Sequence, residues 1–497
     1  MNTANPIVFI IEGQVNHHDV QTMSQVFFQN TGFEIVNSVP QKGLCLRVSI
    51  NEQNTEVQAV LYDESKIFSK YKQKIKNKEK QDARRAVKFV VYVVLRLYTK
   101  YCPPWGLLTG IRPAKLASDM LNNGLSKEKA EKRLIKFYLV DKNRSKLCVD
   151  VALAQKEAVE KAGNACNTVS IYINIPFCPS ICNYCSFASC LAPKFTKHMH
   201  AYIDALAKEI KYINEVCKGK YIENIYIGGG TPTSLDDDNF RQMLFLVAEH
   251  FNVENALEYT VEAGRPDTID EKKLNAMRGY GVNRISINPQ TLHDATLTKI
   301  GRQHSAADFY KAYEAARKIG FNHINIDLIL GLQDETIQNV SHTLEGITAL
   351  NPDSVTIHTL SVKRASALHQ NLENNSYITD IKNIEKMLDI ANSSMSKANL
   401  FPYYLYRQKN STGNFENVGY AKKGKAGMYN IRMMEEHHSV YAAGAGSVTK
   451  LVNSETGSIE RVFNIQNPLD YIKRVDEMIE RKAANMEKGR ADKHEQH

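Results

Sequence analysis

The chain has 497 residues, of which 43% are hydrophobic and 24% are charged, a composition typical of a globular protein. This length exceeds that of one ordinary domain, so we expect two or three domains. The formal net charge of +9 is a modest excess, and much of it lies in runs such as Lys66 to Lys80 and Lys422 to Lys425, which are typical of solvated helix or loop surface. We find no module that places basic residues and stacking aromatics on one face, and therefore expect no nucleic-acid partner.

The lack of targeting segments and the pattern of cysteines indicate the cellular compartment of the protein. No apolar run is long enough to span a bilayer, and the first residues lack the basic region and apolar core of a secretory leader. The nine cysteines are odd in number and unevenly spaced, which indicates a reducing compartment and no disulfide framework. We therefore expect a cytosolic protein without a membrane span.

Residues 1–165 predict an α+β domain. The segment Asp82 to Tyr98 has the pattern of a helix. Four alternating apolar runs predict a small mixed sheet: Ile7 to Ile11, Phe33 to Val36, Leu44 to Ile50 and Glu56 to Tyr62. The segment Pro103 to Leu116 combines the only tryptophan, Trp105, with three prolines and two glycines. It predicts a rigid connector with a buried tryptophan, and direct contact with a substrate is the alternative.

Residues 166–370 alternate short apolar strands with amphipathic helices, the pattern of successive βα units and a parallel sheet. Six strands are predicted: Ser170 to Ile175, Asn224 to Ile227, Leu257 to Glu262, Asn283 to Asn288, His323 to Leu330 and Ser354 to Thr359. Six such units form an open (β/α)6 partial barrel, whose ligands bind at the carboxyl ends of the strands.

The remaining residues predict an extension to this α/β core. Helical patterns at Asn383 to Lys397 and Leu469 to Arg481 predict a mostly helical domain over residues 371–482. Residues 483–497 are polar and predict a frayed tail.

The most informative motif is Cys178-Pro-Ser-Ile-Cys182-Asn-Tyr-Cys185, which supplies three thiolates from one loop. A four-iron cluster held by three thiolates keeps one iron open to an outside ligand, whereas structural zinc sites are closed by a fourth. Two alternatives remain open. Zinc could take the three thiolates together with a fourth ligand from Cys190, His198 or His200, or the cysteines could be small buried hydrophobes.

Polar residues also stand at the ends of the later predicted strands. The second strand runs into Gly228-Gly-Gly-Thr231, where glycines let a ligand approach the backbone. Glu262, Gln290 and Asp327 lie in or after strands three to five, and polar groups in apolar strands are costly unless they are paired or used. Each could instead form a structural ion pair. Their recurrence on successive strands favours a binding site, in which Arg302 clamps a carboxylate and Asp327 fixes a hydroxyl or orients Arg302.

Together these segments resemble the radical S-adenosylmethionine (SAM) enzymes of the oxygen-independent coproporphyrinogen III dehydrogenase group. Trp105-Gly-Leu-Leu-Thr-Gly-Ile-Arg-Pro113 and Pro402-Tyr-Tyr-Leu-Tyr-Arg-Gln-Lys-Asn410 resemble its HemZ-type branch, which extends the likeness over nearly the full chain. The resemblance implies that Cys178, Cys182 and Cys185 bind a 4Fe-4S cluster. It further implies that the SAM site is lined by Tyr172, Tyr184, Gly230, Thr231, Glu262, Gln290, Arg302, Asp327 and Thr359. A glycine-rich segment of the family finds its nearest counterpart in Gly444-Ala-Gly446.

The implied reaction is the oxidative decarboxylation of two propionates of coproporphyrinogen III to vinyl groups in haem biosynthesis, initiated by a 5′-deoxyadenosyl radical from SAM. Such an enzyme takes electrons from a low-potential donor such as flavodoxin or ferredoxin. Basic residues near the strand ends are candidates to anchor the remaining carboxylates: Arg265, Lys363, Arg364 and Arg407.

Two other functions remain open, namely a haem-binding chaperone and another tetrapyrrole-modifying radical SAM protein, a methyltransferase or a ring opener. The chaperone branch carries a His-Asn-x-x-Tyr-Trp haem-binding segment. The nearest counterpart here is Glu416-Asn-Val-Gly-Tyr420, which has neither the His nor the Trp. This departure favours a dehydrogenase over a haem carrier.

Overall fold

The first half of the fold begins with a five-stranded sheet and the helices packed around it. The computed structural model describes residues 6–494 except 29–30, 52, 54, 76–79, 164–166, 362–379, 409–411 and 454–455, with the backbone alone described for 487–494. The strands are β1 (Ile7–Glu12), β2 (Phe33–Ile35), β3 (Leu44–Ile50), β4 (Glu56–Asp63) and β5 (Lys66–Lys74). The helices are His17–Phe27, Lys80–Thr99, Pro113–Asn122, Lys127–Tyr138 and Lys142–Ala162.

This first sheet has the order β2-β1-β3-β4-β5, with β1 parallel to both neighbours and the rest antiparallel. The apolar faces of the helices His17–Phe27 and Lys80–Thr99 pack on it to form one core. We expected the run Lys66 to Lys80 to be helix or loop surface, but its first nine residues form the strand β5. Glu64 and Ser65 both have positive φ angles of 49° and 64°, so they form a two-residue turn that returns the chain as a hairpin, and the lysines mark the edge of the sheet.

Trp105 is buried, as its connector predicts. Its indole N–H donates to Glu416 Oε2 at 2.7 Å, and Arg144 Nε donates to Glu416 Oε1 at 3.0 Å. The Arg407 guanidinium lies over the indole ring and donates to the carbonyl oxygens of Leu108 and Asn414. Arg407 therefore packs against this connector and uses its guanidinium there. This corrects our expectation that Arg407 anchors a substrate carboxylate.

The second sheet has eleven strands in the order β14-β15-β13-β12-β11-β10-β9-β6-β16-β17-β18. Its strands are β6 (Thr168–Ile175), β9 (Tyr221–Gly229), β10 (Glu258–Glu262), β11 (Arg284–Ser286), β12 (Ile324–Leu330), β13 (Ser354–Thr359), β14 (Phe401–Arg407), β15 (Glu416–Ala421), β16 (Ser439–Ala443), β17 (Val448–Val452) and β18 (Ile459–Phe463). A separate two-stranded pair joins β7 (Phe177–Cys178) to β8 (Cys190–Leu191). The helices are Ala192–Phe195, Met199–Val216, Asp237–His250, Glu271–Gly279, Asp294–Lys299, Ala306–Ile319, Ile337–Ala349, Ile381–Lys397, Met428–Glu435 and Pro468–His494.

The six predicted strands are present as six consecutive parallel strands, from β6 through β9, β10, β11 and β12 to β13. Helices follow the strands, which is the α/β architecture of a partial barrel. The five strands β14 to β18 correct our expectation of a mostly helical domain over residues 371–482. Runs such as Phe401–Arg407 are rich in aromatic residues, which favour strands over helices. Of the five strands, β15 pairs antiparallel with β13, and β16 pairs parallel with β6, so the extension borders the parallel strands on both sides.

The last helix runs from Pro468 to His494, with a kink at Arg474, and packs against the helix Met199–Val216. We expected a frayed tail from residue 483, but the helix continues to His494. Ala483, Ala484 and the charged residues beyond them have good helix propensity, and the buried Lys482 holds the helix to the protein. Among the described residues, no helix is long and apolar enough to cross a membrane.

The chain divides into two compact units, residues 1–152 with 406–416, and residues 153–405 with 417–497. This division differs from the boundaries that we expected at 165/166 and 370/371. The helix Lys142–Ala162 runs through the first boundary, and the strands of the extension join the sheet of the parallel strands, so the extension is no separate unit.

Candidate functional site

The cysteine loop follows the carboxyl end of β6, the first of the parallel strands. It is fastened to the segment after the helix Asp294–Lys299: Asn183 donates to the carbonyl oxygens of Ile300 at 3.1 Å and Lys299 at 3.0 Å. Ser180 Oγ donates to Gly301 O at 2.9 Å. The loop therefore has a defined conformation in which three thiols come from one short stretch of chain.

A buried cation lies beside these thiols. Arg265 donates to Ser180 Oγ at 2.9 Å, and the same nitrogen lies 3.9 Å from Cys182 Sγ. Asp267 holds the guanidinium through two hydrogen bonds of 3.0 and 2.9 Å. Burial raises the pKa of Asp267, but the nearby His304 imidazole, 3.7 Å away, and the hydrogen bonds from Arg265 outweigh burial and hold that pKa well below its usual range. Arg265 therefore remains oriented toward the loop, where its charge favours thiolates.

Burial raises the pKa of Cys178 and of Cys185, and the hydrogen bond from Thr231 to Cys178 opposes the rise at Cys178. Thr231 Oγ1 lies 3.6 Å from Cys178 Sγ, within donating distance of a thiolate. The loop thus surrounds its sulfur atoms with a hydroxyl donor and a guanidinium. Such groups stabilise sulfur that carries negative charge, as in metal-bound thiolate.

The glycine run at the end of β9 is required by close contacts. A Cβ on Gly230 would stand 2.6 Å from Phe177 O and 3.0 Å from Cys178 Sγ, and one on Gly228 would stand 2.8 Å from Glu262 Oε2. The Gly230 and Thr231 amides donate to the carbonyl oxygens of Ile175 and Phe177. Contrary to our expectation, these two amides are therefore not available to a ligand. The run brings the backbone of β9 against the cysteine loop.

Three tyrosine rings stack beside this run. Tyr226 and Tyr429 have ring centroids 4.4 Å apart, and Tyr172 lies 6.1 Å from Tyr226 and 6.2 Å from Tyr429, with interplanar angles of 16° to 22°. Tyr172 donates to Asn174 Oδ1 at 3.0 Å. Of the three, the sequence singled out only Tyr172. Tyr226 on β9 lies in register with Tyr172 on β6. This strand register is the feature by which Tyr226 could have been predicted as a site residue.

Glu262 lies at the end of β10 and accepts a hydrogen bond from the Tyr226 hydroxyl. Burial raises the pKa of Glu262 to about 7, and the nearby charge of Asp327 adds to the rise, whereas the Tyr226 hydrogen bond opposes it. A carboxyl with this pKa changes its charge near neutral pH, so Glu262 either donates or accepts a hydrogen bond according to pH.

Gln290 lies in the left-handed region with φ of 69°, where its peptide groups bond to β12: Gln290 N donates to Asp327 O and Ile329 N donates to Gln290 O. Its side-chain Oε1 is buried without a hydrogen-bond partner among the described residues. A non-glycine residue in this region, with an unsatisfied amide oxygen, is typical of a functional site.

Arg302 and Asp327 do not make the pair that we considered from the sequence. Arg302 Nη1 donates to Asn288 O at 2.5 Å, and its Nε has no acceptor among the described residues. Asp327 accepts from Asn325 Nδ2 at 2.7 Å and lies 3.7 Å from His358 Nε2. Burial raises the pKa of Asp327, but the nearby His358 imidazole and the hydrogen bond from Asn325 outweigh burial, so the net shift of the pKa is downward.

Two further predicted residues flank this region. The Tyr184 ring packs against an apolar cluster that includes Leu297 and Ile329, and burial raises the pKa of its phenol although Arg302 opposes the rise. The Thr359 amide donates to Asn417 Oδ1 at 2.8 Å, which ties the end of β13 to β15. Of the proposed carboxylate anchors, Arg265 lies at the cysteine loop, and Lys363 and Arg364 fall outside the described residues.

A cavity of about 350 Å³ opens beside the cysteine loop. Its apolar wall includes Tyr172, Tyr429, Gly230 and Phe187, and Lys450 of β17 is the charged side chain that lines it. Lys450 is buried to 6% exposure. It was missed in the sequence, where the only pointer is its position four residues after the Gly444-Ala-Gly446 segment.

The residues around the cysteine loop fit thiolate sulfur and a polar ligand such as SAM. In the part of the chain that the structure describes, no three His, Cys, Asp or Glu side chains converge as a metal site, and this holds for the three cysteines of the loop as well. Gly230 leaves room at Cys178 Sγ, Arg265 and Thr231 face sulfur, and Gln290 Oε1 and Arg302 Nε are buried polar atoms in need of partners.

The fold and this site define a radical SAM protein, and the sequence profile of the radical SAM superfamily matches residues 172–345. The oxygen-independent coproporphyrinogen-III oxidase-like protein HemZ of Bacillus subtilis (strain 168) is 37% identical over 410 residues, which are 82% of each chain. The heme chaperone HemW of the same strain is 30% identical over 56% of this chain and 70% of its own. The solved structure of coproporphyrinogen III oxidase (HemN) from Escherichia coli has a TM-score of 0.52 at 20% identity, covering 65% of this chain and 73% of that chain.

The chain therefore belongs to the oxygen-independent coproporphyrinogen-III oxidase-like family of the radical SAM superfamily. The HemN likeness confirms the predicted fold class. As a radical SAM protein it uses a 4Fe-4S cluster and SAM, which confirms the expected cofactors. Relatives of this chain carry both oxidase and chaperone names, so membership of the family leaves the individual activity to be argued from the site.

Proposed function

We propose that this protein oxidatively decarboxylates two propionate side chains of coproporphyrinogen III to vinyl groups, giving protoporphyrinogen IX without oxygen. The observation that carries the proposal is the likeness to the HemZ protein over 82% of each chain, because it extends beyond the shared radical SAM core. In each conversion a propionate loses one hydrogen atom, one carbon dioxide and one electron, the last to an acceptor outside the protein.

The cofactor assignments support this reaction. Cys178, Cys182 and Cys185 hold the cluster, and SAM is held by the nine residues named from the family resemblance, among which Gln290 and Arg302 have buried polar atoms to offer. When bound, the two groups supply a primary carbon radical, which a propionate C–H bond requires because no side-chain base removes so weakly acidic a proton. A low-potential one-electron donor such as flavodoxin or ferredoxin completes the system.

The cavity beside the cysteine loop suits the substrate. Its tyrosine and methionine walls, including Tyr172, Tyr429 and Met433, offer apolar surface to a tetrapyrrole ring, and Lys450 offers one cation to a carboxylate. The burial of Lys450 strengthens such a pair, since solvent screens it little. The cavity thereby orients a propionate group near the thiolate loop.

The second candidate is a haem carrier, which the 30% identity to a heme chaperone supports. The segment Glu416–Tyr420 argues against it. Glu416 is bound by Trp105 and Arg144, and Tyr420 is buried in β15 in register with Val355. Haem iron takes axial ligands such as His, Cys, Met or Tyr, and the one such residue in this segment is part of a sheet.

The test is made with anaerobically reconstituted protein in two parallel reactions. One contains coproporphyrinogen III, SAM and a reductant, and the other contains haem alone. We expect the release of two carbon dioxides per porphyrinogen, with the product identified by mass, and no stable haem complex. The Cys182→Ala variant is the control without turnover. Tight stoichiometric haem binding without any decarboxylation would reverse the ranking of the two functions.

A further inference from the structure

A second cavity lies at the opposite ends of the parallel strands. Its volume is about 620 Å³, and its lining includes the residues at which β10, β11 and β12 begin: Leu257, Glu258, Asn283 and His323. The cysteine loop, in contrast, follows the carboxyl end of β6. This cavity therefore plays no part in the site described above.

One rim of the cavity is strongly basic. The lysine loop, residues 422–425, contributes Lys422, Lys423 and Lys425 within four positions. Lys422 donates to Asn351 O at 2.8 Å and Lys425 donates to Asn322 O at 2.9 Å. Backbone carbonyl oxygens position these ammonium groups without neutralising them, and each ammonium keeps further donors.

The acidic residues of the lining do not cancel this charge. Glu157 forms a salt bridge of 2.6 Å with Lys161. The buried Glu258 accepts from Met428 N at 2.6 Å and from Thr260 Oγ1 at 2.9 Å, and its charge is opposed by that of the neighbouring Arg284. Each carboxylate thus has a basic residue of its own, and the three lysines of the lysine loop leave the rim with a surplus of positive charge.

A buried cation lies behind the lining residue His323. Arg284, 1% exposed, does not line the cavity itself but donates to Nε2 of His323. Burial, together with the charge of Arg284, lowers the pKa of His323 to about 2, so this imidazole stays neutral. The lysine loop is thus backed by a neutral ring and a permanent cation.

The other rim is apolar and exposed. Phe401 and Leu257 are 55% and 50% exposed, whereas Tyr403, which also lines the cavity, is buried. Ligand sites are commonly lined by apolar and aromatic side chains together with a few polar groups. A cavity of this volume is in the range of small-molecule sites.

From these two rims we infer that the cavity binds a small aromatic anion, with the ring against Phe401 and Leu257 and a phosphate or carboxylate group at the lysine loop. The charge-assisted hydrogen bonds hold the anionic group, and the ring covers the exposed aromatic surface. Phosphate with two charges should bind more tightly than carboxylate with one.

The experiment titrates the full-length holoprotein, with SAM present, using 1-naphthyl phosphate in a calorimeter. 1-Naphthoate and uncharged 1-naphthol, which have the same ring, are titrated in parallel. The three affinities show how much of the binding depends on a phosphate, on a carboxylate or on the ring alone. We expect the phosphate to bind in the micromolar range, the carboxylate more weakly, and 1-naphthol at least tenfold more weakly than the phosphate.

Two variants locate the site. Lys423→Glu and Phe401→Ala should each weaken binding of 1-naphthyl phosphate at least tenfold, while Lys211→Glu, the same charge change at an exposed helix position, leaves it unchanged. Lys450→Met should also leave it unchanged, which separates this cavity from the one at the cysteine loop. Equal affinities in the wild type, Lys423→Glu and Phe401→Ala, or no binding to the wild type, would overturn the inference.

Discussion

Lys482 of the last helix donates a hydrogen bond to Glu209 of the helix Met199–Val216, and both side chains are fully buried. The remaining capacity of the Glu209 carboxylate is also filled. It accepts from Asn464 Nδ2 at 2.8 Å, from the Gly444 amide at 2.8 Å and from the Tyr471 hydroxyl. One carboxylate thereby joins the last helix to the glycine segment that borders the cavity at the cysteine loop.

The loss of Lys482 should be costly. In Lys482→Met the Glu209 carboxylate keeps its burial but loses its counter-charge, which costs about 3 to 5 kcal/mol of unfolding free energy. Urea unfolding measures the loss. The double variant Lys482→Met with Glu209→Gln removes the buried charge as well and should regain a large part of the stability. If the double variant is no more stable than the single one, the charge pair is not the cause.

Cluster binding should depend on three cysteines and not on their neighbour. Ala at Cys178, Cys182 or Cys185 should abolish the absorbance of the reconstituted four-iron cluster and SAM cleavage, because an open-iron cluster has no spare thiolate. Cys190→Ala is the matched control and should keep full iron content. Stoichiometric zinc without iron in the wild type, or equal loss of iron from Cys190→Ala, would contradict the assignment.

Arg302 and Asp327 are expected to act on SAM and not on the cluster. Each lost charge-assisted contact is worth about 1.5 to 3 kcal/mol, or roughly ten- to a hundredfold in affinity. Arg302→Ala and Asp327→Ala should weaken SAM binding by that factor at unchanged iron content. Asp327→Asn, which keeps the shape, shows how much of the effect is charge. Wild-type SAM affinity in both Ala variants would remove these two residues from the site.

Glu262 should impose a pH dependence on stability. Its folded pKa of about 7 lies above the ordinary value of 4.5, so its contribution to stability is fully present below pH 4.5 and is lost as pH rises through 7. The loss amounts to about 3 kcal/mol at most, since each pKa unit is worth about 1.4 kcal/mol. Glu262→Gln stays uncharged and should lack this part of the decline.

The comparison is made by urea unfolding between pH 4.5 and 8. Glu335 and Glu435, whose pKa values burial also raises to about 7, keep their own share of the slope in both proteins. Only the difference between wild type and Glu262→Gln is therefore assigned to Glu262. A constant difference across this pH range would show that folding does not raise the pKa of Glu262 above its unfolded value.

Lys450 should determine substrate affinity without affecting SAM. If its ammonium pairs with one substrate carboxylate, Lys450→Met should raise KM for coproporphyrinogen III about tenfold, a typical loss for one charge-assisted contact. Lys450→Arg keeps the charge and should recover part of the affinity. Calorimetric SAM binding should be unchanged in both. A drop in kcat alone would instead place Lys450 outside substrate binding.

The strands at the centre of the fold were predictable because their signal is local. Runs such as Ile324 to Leu330 are apolar and bounded by turns, and the six parallel strands follow the chain in order. The positions of Gln290, Tyr429 and Lys450 were not predictable in the same way. Gln290 adopts its φ of 69° because β12 binds it on both sides, and the other two reach the site from elements far along the chain.

The unpredicted hairpin of β4 and β5 shows the same limit on a smaller scale. Glu64 and Ser65 turn the chain with positive φ angles that neither residue type favours. The turn therefore lacks the Asn-Gly or Asp-Gly signature by which such hairpins are recognised. Likewise, Asp19 and Arg84 make a bonded pair 65 positions apart, at 2.7 and 2.9 Å, which no local pattern reveals.

The pairing of β16 with β6 has a consequence for biosynthesis. The strand β6, which precedes the cysteine loop, can pair with β16 only when residues 439–443 have left the ribosome. The buried Glu209 can pair with Lys482 only when residue 482 has been synthesised. The parallel strands are complete in sequence about 80 residues before β16 begins. A nascent chain in this interval carries the three cysteines on an unfinished sheet, so we expect stable insertion of iron and sulfide to follow translation of the complete chain.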